Sequence, residues 1–125
     1  MQQTVSIKVT PTSKSKIESV DWENLPFGKV FSDHMLVMDY KDGAWQEAEI
    51  VPFGPIEMHP AMSAIHYGQS IFGGMKANRT VDGDVVIFRP DMNAKRFIES
   101  CERMCMPTIP EDLLTELVRK LVEVE

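Results

Sequence analysis

The sequence has few residues of the kinds that form disulfides, span membranes or bind nucleic acid. Its 125 residues include only two cysteines. No apolar stretch reaches the roughly 18 residues of a membrane-spanning helix, and the N-terminus lacks the apolar core of a secretion signal. Because nucleic-acid binding needs a clustered cationic surface, a net charge of -6 with 13 scattered lysines and arginines argues against it. We expect a cytoplasmic protein.

The cysteines and histidines do not form a pattern typical of a metal site. Cys101 and Cys105 are four residues apart, so a helix would place them on one face, and we interpret them as reduced thiols. His34, His59 and His66 are separated by 25 and 7 residues, spacings that fit no compact ligand set. No metal-binding residue is therefore predicted.

Alternating apolar residues and turn residues predict a β-rich first part of the chain. Residues 1–20 have little periodicity, and we expect a flexible N-terminal arm or an edge strand there. Strand patterns at 29–40 and 44–51 flank Lys41-Asp42-Gly43, which predicts a hairpin. A short extended segment at 56–58 is expected to join the same sheet.

A second hairpin and two helices are predicted after it. Strand patterns at 70–79 and 85–88 are joined by Asp82-Gly83. After Pro90, apolar residues recur every three or four positions in two stretches, as in amphipathic helices. The first stretch contains Ala94, Phe97, Ile98, Cys101, Met104 and Cys105, and the second contains Leu113, Leu114, Leu117, Val118, Leu121 and Val122.

These elements predict an α+β fold, because the helices follow the strands and no βαβ alternation is present. The expected architecture is an antiparallel sheet of two hairpins plus an extra short strand, with the two C-terminal helices packed on it. The last helical pattern still runs at Glu125 without Gly, Asn or Pro to end it. We therefore expect residues 21–125 to be one small domain, truncated at its C-terminal end.

Two motifs resemble a known enzyme family. They are the stretch His66-Tyr67-Gly68-Gln69-Ser70-Ile71-Phe72-Gly73-Gly74-Met75-Lys76-Ala77-Asn78-Arg79 and the stretch Phe88-Arg89-Pro90-Asp91-Met92-Asn93-Ala94-Lys95-Arg96. Both are similar to the N-terminal half of the branched-chain amino acid aminotransferases, which are pyridoxal-phosphate (PLP) enzymes of fold type IV. The similarity runs from about Phe27 to Val124. One departure is Gly73, where the family usually has glutamate.

The resemblance implies an activity and a set of site residues. It implies the N-terminal small domain of a homodimeric enzyme that transfers the amino group of leucine, isoleucine or valine to 2-oxoglutarate. By pattern alone Arg96 could be a solvated helical arginine or a phosphate ligand; the resemblance implies that it contacts the PLP phosphate. Phe27 and Phe72 match aromatic residues of the pocket for the branched side chain. Tyr67 matches a tyrosine that reaches the neighbouring subunit's active site.

The lysine that binds the cofactor covalently lies in the C-terminal half of such enzymes. Lys76 is the plausible substitute here, because strand alternation would put it on the same face as Phe72, but the matching lysine of the family does not have that role. We therefore expect no catalytic residue on this chain and no activity from it alone. Two alternatives stay open: another fold type IV enzyme, such as a D-amino acid aminotransferase or an aminodeoxychorismate lyase, or a non-catalytic dimerisation module.

Overall fold

The chain folds into two compact units, as seen in a computed structural model that describes residues 6–125. Within the described residues, unit 1 comprises residues 6–56 and 119–125, and unit 2 comprises residues 57–118. Strands dominate the first part of the chain and two long helices follow them, which confirms the predicted α+β class. No helix in the described part is both long enough and apolar enough to cross a membrane.

Unit 1 is built on a three-stranded sheet. Its central strand is β5 (Ala48–Pro52), which pairs in parallel with β1 (Ile7–Val9) and antiparallel with β2 (His34–Val37). Side chains two residues apart lie on the same face of a strand, and accordingly Ala48 and Ile50 are both buried. The core of unit 1 therefore centres on β5.

The hairpin that connects β2 to β5 ends in a tight turn. Near its tip β3 (Tyr40–Lys41) pairs with β4 (Ala44–Trp45), so Asp42 and Gly43 form a two-residue loop. Their φ angles are +53° and +80°, and a type I′ turn requires positive φ at both positions. Glycine adopts this conformation without steric cost, which explains why Asp-Gly specifies the turn. The predicted first hairpin is confirmed.

The extra strand lies elsewhere than predicted. Residues 56–58 are not in a strand, so that assignment was wrong. Pro52 and Pro55 precede the segment, and proline has no backbone N–H to donate to a sheet. The third strand is instead β1, within the predicted arm. Flexibility of residues 1–20 stays a prediction, and residues 1–5 lie outside the described part.

Unit 2 begins with a short helix and a small hairpin. Helix α1 is Ser63–Tyr67. Strands β6 (Ala77–Arg79) and β7 (Val85–Ile87) form the second predicted hairpin, but the first strand is much shorter than expected. Residues 70–76 have no regular structure, because the adjacent Gly73 and Gly74 weaken a strand.

The two long helices occur where the periodicity predicted them. Helix α2 (Pro90–Arg103) buries Ala94 and Cys101, which are seven residues apart and therefore share a face. Helix α3 (Glu111–Val124) buries Leu117; its residues up to 118 belong to unit 2 and its later residues to unit 1. The core of unit 2 is thus mainly helical, whereas that of unit 1 is mainly strand.

Candidate functional site

A groove of about 450 Å³ lies in unit 2, between the irregular segment after α1 and one face of α2. It brings together Phe72 and Arg96, two of the four predicted site residues. Its lining consists of Ile71, Phe72, Arg96, Glu99, Ser100, Arg103 and Met104. The groove therefore combines an aromatic ring, two guanidinium groups and one carboxylate.

Two side-chain hydrogen bonds hold residues 69–76 along α2. Asn93 Nδ2 donates to the carbonyl oxygen of Gly74 at 2.8 Å, near the start of the helix. Gln69 Nε2 donates to the carbonyl oxygen of Met104 at 2.9 Å, just past the end of the helix. The segment therefore runs antiparallel to α2. One hydrogen bond joins them near the start of the helix and the other just past its end.

Gly73 passes next to the guanidinium of Arg96. A Cβ at Gly73 would lie 3.8 Å from Arg96 Nη2 and 3.8 Å from Phe97 Cδ2, which is ordinary van der Waals contact. A longer side chain could be accommodated, and a glutamate there would carry its carboxylate close to Arg96. Because this chain has glycine, residue 73 supplies no negative charge to that guanidinium.

The guanidinium of Arg96 forms no hydrogen bond or ion pair with any residue in the range 6–125. The side chain is exposed, and the bond from Ser100 Oγ, at 2.8 Å, goes to its backbone carbonyl. Arg89 differs, because its Nε and Nη2 donate to the two carboxylate oxygens of Asp91 at 2.9 and 2.7 Å. Arg96 therefore keeps its donors available for an anion, and planar guanidinium groups bind phosphate and carboxylate well.

The other two predicted residues lie outside the groove. Tyr67 is the last residue of α1 and is 86% exposed, and Phe72 at the groove is 89% exposed. Phe27 belongs to unit 1 and is fully exposed. Large apolar side chains at the surface are typical of binding sites and interfaces. The substrate-binding roles of Phe27, Tyr67 and Phe72 stay predictions.

The expected relation between Lys76 and Phe72 is not found. It relied on strand alternation, which requires both residues to be in one strand. Residues 70–76 are not in a strand, so strand alternation does not determine the direction of either side chain. Lys76 is thus not assigned to the groove, and it is not among the residues that line it.

Unit 1 contains a larger cleft of about 540 Å³, but its polar end is already bonded. Its walls are mostly apolar and include Ile17, Val20, Trp22, Leu25, Pro26, Val30 and Phe31. At the polar end Lys16 Nζ donates to the carbonyl oxygens of Phe31 and Ser32, both at 3.3 Å. Since its polar groups bond within the protein, we locate the candidate site in unit 2 instead.

His34, at the same end of the cleft, has a structural role that the sequence did not reveal. Only 6% of it is exposed, and its Nε2 accepts a bond from the backbone N–H of Thr12 at 2.9 Å. Its Nδ1 therefore carries the proton and donates to Glu125 Oε1 at 2.6 Å. Among the described residues no cluster of three or more His, Cys, Asp or Glu side chains could hold a metal ion.

Comparison with known proteins identifies the relatives of the chain. No family model matches it. It is 49% identical over 109 residues, 86% of this chain and 31% of the relative, to branched-chain-amino-acid transaminase 1 of Bacillus subtilis. It is 40% identical over its whole length to the branched-chain-amino-acid aminotransferase of Mycolicibacterium smegmatis, covering 34% of that protein. A probable branched-chain-amino-acid aminotransferase of Staphylococcus aureus is 46% identical, also with 34% covered.

The chain is similar to about one third of a branched-chain aminotransferase. The predicted resemblance is confirmed. Both motifs that carry the resemblance to these aminotransferases contribute to the groove, the first with Ile71 and Phe72 and the second with Arg96. The stretch 66–79 contains the segment that lies along α2, and the stretch 88–96 contains the start of α2 itself.

Sequence reasoning did not identify Asn93 and Gln69 as residues that shape the groove. Asn93 and Arg96 are three residues apart, a spacing that places them on the same helix face. This signal was present in the second motif. The partner carbonyl at Gly74 is 19 residues away, and a local pattern does not reveal it.

Proposed function

We propose that the chain is the N-terminal part of a cytoplasmic, homodimeric, PLP-dependent branched-chain amino acid aminotransferase. The observation that carries the proposal is the guanidinium of Arg96, which has no partner among residues 6–125 and lies beside the exposed ring of Phe72 in a groove to which both family motifs contribute. The relatives named above, which are 40% or more identical to this chain, support the amino-transfer reaction.

The residues of the groove fit this cofactor. A phosphate needs fixed donors, and Arg96 has its guanidinium free on a rigid helix. Gly73 leaves the side of the guanidinium open, because no Cβ occupies the position 3.8 Å from Nη2. Phe72 supplies an apolar aromatic surface for a flat ring. When bound, PLP would act as the electron sink that stabilises negative charge on the amino acid substrate.

The candidate site residues of this chain would then bind or orient the cofactor and the substrate. Arg96 would hold the phosphate and so orient the cofactor. Phe27 and Phe72 would each offer an apolar ring to the side chain of leucine, isoleucine or valine, with 2-oxoglutarate as the acceptor. One methylene in an apolar pocket changes binding by only about 1 to 3 kcal/mol, so discrimination among the three should be modest. Tyr67, exposed at the end of α1, would reach the site of the partner subunit.

The covalent lysine and the proton transfers would come from elsewhere in the protein. The chain spans about a third of the length of its relatives, and none of its residues is proposed as a catalytic base. We therefore expect the 125-residue chain to be inactive by itself. Treatment with PLP and borohydride should label no lysine specifically, and specific labelling of Lys76 would contradict this expectation.

A chimeric enzyme tests the proposed function. This chain would replace the matching segment of the Bacillus subtilis transaminase, and amino transfer from leucine to 2-oxoglutarate would be measured together with PLP affinity. We expect activity, because 49% of the 109 matched residues are identical. In the chimera Arg96→Gln should raise the Kd for PLP at least about tenfold, since a charge-assisted hydrogen bond contributes roughly 1.5 to 3 kcal/mol.

Arg79→Gln is the matched control, because Arg79 is an exposed arginine in β6, away from the groove lining. It should leave PLP affinity unchanged. Equal affinity of the Arg96→Gln chimera and the parent chimera would refute the assignment of the phosphate site. Activity with D-amino acids but not with leucine would favour a D-amino acid aminotransferase, and a dimer that binds no PLP would favour a dimerisation module.

A further inference from the structure

We propose that Asn93 is a positioning residue, which sets the shape of the groove by holding residues 70–76 against α2. Asn93 is not in the groove lining and would act through the backbone carbonyl of Gly74. It rests on the proposed function only for the identity of the anion that the groove binds.

The segment after α1 depends on side chains for its conformation. Residues 68–76 belong to no helix or strand, so no ladder of backbone hydrogen bonds fixes them. An irregular segment with adjacent glycines has high conformational freedom unless other bonds restrict it. The bond from Asn93 to Gly74 and the bond from Gln69 to Met104 provide this restriction.

The segment between these two bonds is short. Gln69 and Gly74 are five positions apart, and extended chain spans at most about 3.3 to 3.6 Å per residue, or roughly 17 Å. Asn93 and Met104 are eleven positions apart, and a helix rises about 1.5 Å per residue, or roughly 16 Å. The two lengths are similar, so two bonds to the same helix restrict the registers open to the residues between them.

This register places Phe72 and Gly73 next to Arg96. Asn93 and Arg96 are three residues apart and lie on one face of α2. When Gly74 is bonded to Asn93, the preceding Gly73 lies beside Arg96 Nη2 and Phe72 lines the groove. Loss of the bond from Asn93 would free the glycine end of the segment, and the ring of Phe72 would no longer have a fixed position relative to the guanidinium.

The amide of Asn93 is suited to this role, because it donates a hydrogen bond and carries no charge. An aspartate would offer no donor to the carbonyl of Gly74 and would add a negative charge one turn from Arg96. A leucine would have a similar size without a donor or a charge. Glutamine would keep the donor on a longer side chain, so it should restore part of the function.

The test compares Asn93→Leu and Asn93→Gln with the unchanged 125-residue chain. Backbone 15N relaxation of residues 70–75 reports the order of the segment, and titration with PLP and with pyridoxal, which lacks the phosphate, reports the groove. Loss of the bond from Asn93 should lower the backbone order parameters there from about 0.85 toward 0.6 in Asn93→Leu. The Kd for PLP should rise about three- to tenfold, pyridoxal binding should change little, and Asn93→Gln should recover part of both effects.

Two further variants keep the test decisive. Asn78→Leu makes the same chemical change at an exposed asparagine of β6, and it should alter neither readout. Gln69→Leu releases the other end of the segment, so it should lower the same order parameters even if Asn93→Leu folds poorly.

Unchanged order parameters in both Asn93→Leu and Gln69→Leu would overturn the proposal. Lower order parameters with unchanged PLP affinity would overturn the link between the segment and the groove. No binding of PLP to the unchanged chain would count against the phosphate site of the proposed function instead, while the relaxation result would still decide whether Asn93 holds the segment.

Discussion

Glu125 in unit 1 and Arg96 in unit 2 differ in how their charged groups are bonded. In unit 1 the carboxylate of Glu125 accepts bonds from the backbone N–H groups of Asp33 and His34 and from the ring of His34, so residues far apart in sequence are joined. In unit 2 the guanidinium of Arg96 has no partner among residues 6–125, and Phe72 beside it is exposed. Polar groups that bond internally stabilise the fold, whereas groups without partners are available to a ligand.

The same contrast separates the two cavities. The cleft of unit 1 is the larger, yet its lysine, histidine and carboxylates bond to one another or to backbone groups. The groove of unit 2 is smaller, and no residue in the range 6–125 bonds the guanidinium of its Arg96. Volume alone would favour the cleft of unit 1, whereas the bonding of the polar groups favours the groove as the candidate site.

Removal of the Glu125 carboxylate should have the largest effect on stability. Glu125→Ala leaves the buried Nδ1–H of His34 without an acceptor, and an unsatisfied buried polar group costs about 1 to 3 kcal/mol. The free energy of unfolding of unit 1 should fall by that amount. Chemical denaturation followed by tryptophan fluorescence measures it selectively, because Trp22 and Trp45 are both in unit 1.

Glu123→Ala is the control for this change. Glu123 pairs with Arg119 and Lys120 on an exposed part of α3, and such pairs contribute about 0 to 1 kcal/mol. Its effect should be clearly smaller than that of Glu125→Ala. Equal losses in the two variants would show that the bonds to His34 do not organise unit 1.

A glycine at position 105 should stabilise unit 2 by about 1 kcal/mol. Cys105 has φ = +54° after the end of α2, and the left-handed conformation costs a residue with a Cβ roughly 1 to 2 kcal/mol, part of which the greater chain entropy of glycine offsets. The N–H groups of Cys105 and Met106 donate to the carbonyls of Glu102 and Cys101, the bonding pattern that favours glycine at this site. Cys105 is exposed, so little packing is lost.

Thermal unfolding followed by helical circular dichroism compares Cys105→Gly with Cys105→Ala. Alanine keeps the Cβ and hence the cost of the positive φ, so it should give no stabilisation. If both variants raise the melting temperature equally, removal of the thiol would be responsible, and not relief of the unfavourable positive φ at residue 105.

The features that could be predicted from the sequence are local ones. Asp42 and Gly43 specify their turn because the required positive φ values depend on those two residues. The helices were found for the same reason, since their apolar periodicity is contained within each segment. Arg96 was selected as a candidate because its motif is short and continuous, and its role as a phosphate ligand stays a prediction.

The features that could not be predicted depend on partners far away in the sequence. Residues 70–76 alternate like a strand, but Asn93 and Met104 hold them along a helix instead. The bond between His34 and Glu125 joins residues 91 positions apart. The contact between Gly73 and Arg96 also arises only when the segment lies on α2. For these residues tertiary bonding outweighs the local pattern.

The smallest expected effect is a change in the titration of one carboxyl group. The side chain of Arg89, which donates two hydrogen bonds to Asp91, lowers the pKa of that carboxyl from 3.8 to about 2. Since the folded pKa is below the unfolded value, the stabilisation is complete above about pH 4 and is lost as the pH falls through about 2. Arg89→Gln should therefore raise the pKa of Asp91 toward 3.8, as measured by NMR of the carboxyl carbon.

Asp21 in unit 1 provides the internal control for that titration. Its pKa is also lowered, chiefly by a hydrogen bond from the side chain of Asn24, which carries no charge. Because the cause is local, Arg89→Gln should leave the titration of Asp21 unchanged while that of Asp91 moves. A parallel shift of the pKa values of both carboxyls would mean that Arg89 acts through the charge of the whole protein rather than through its hydrogen bonds to Asp91.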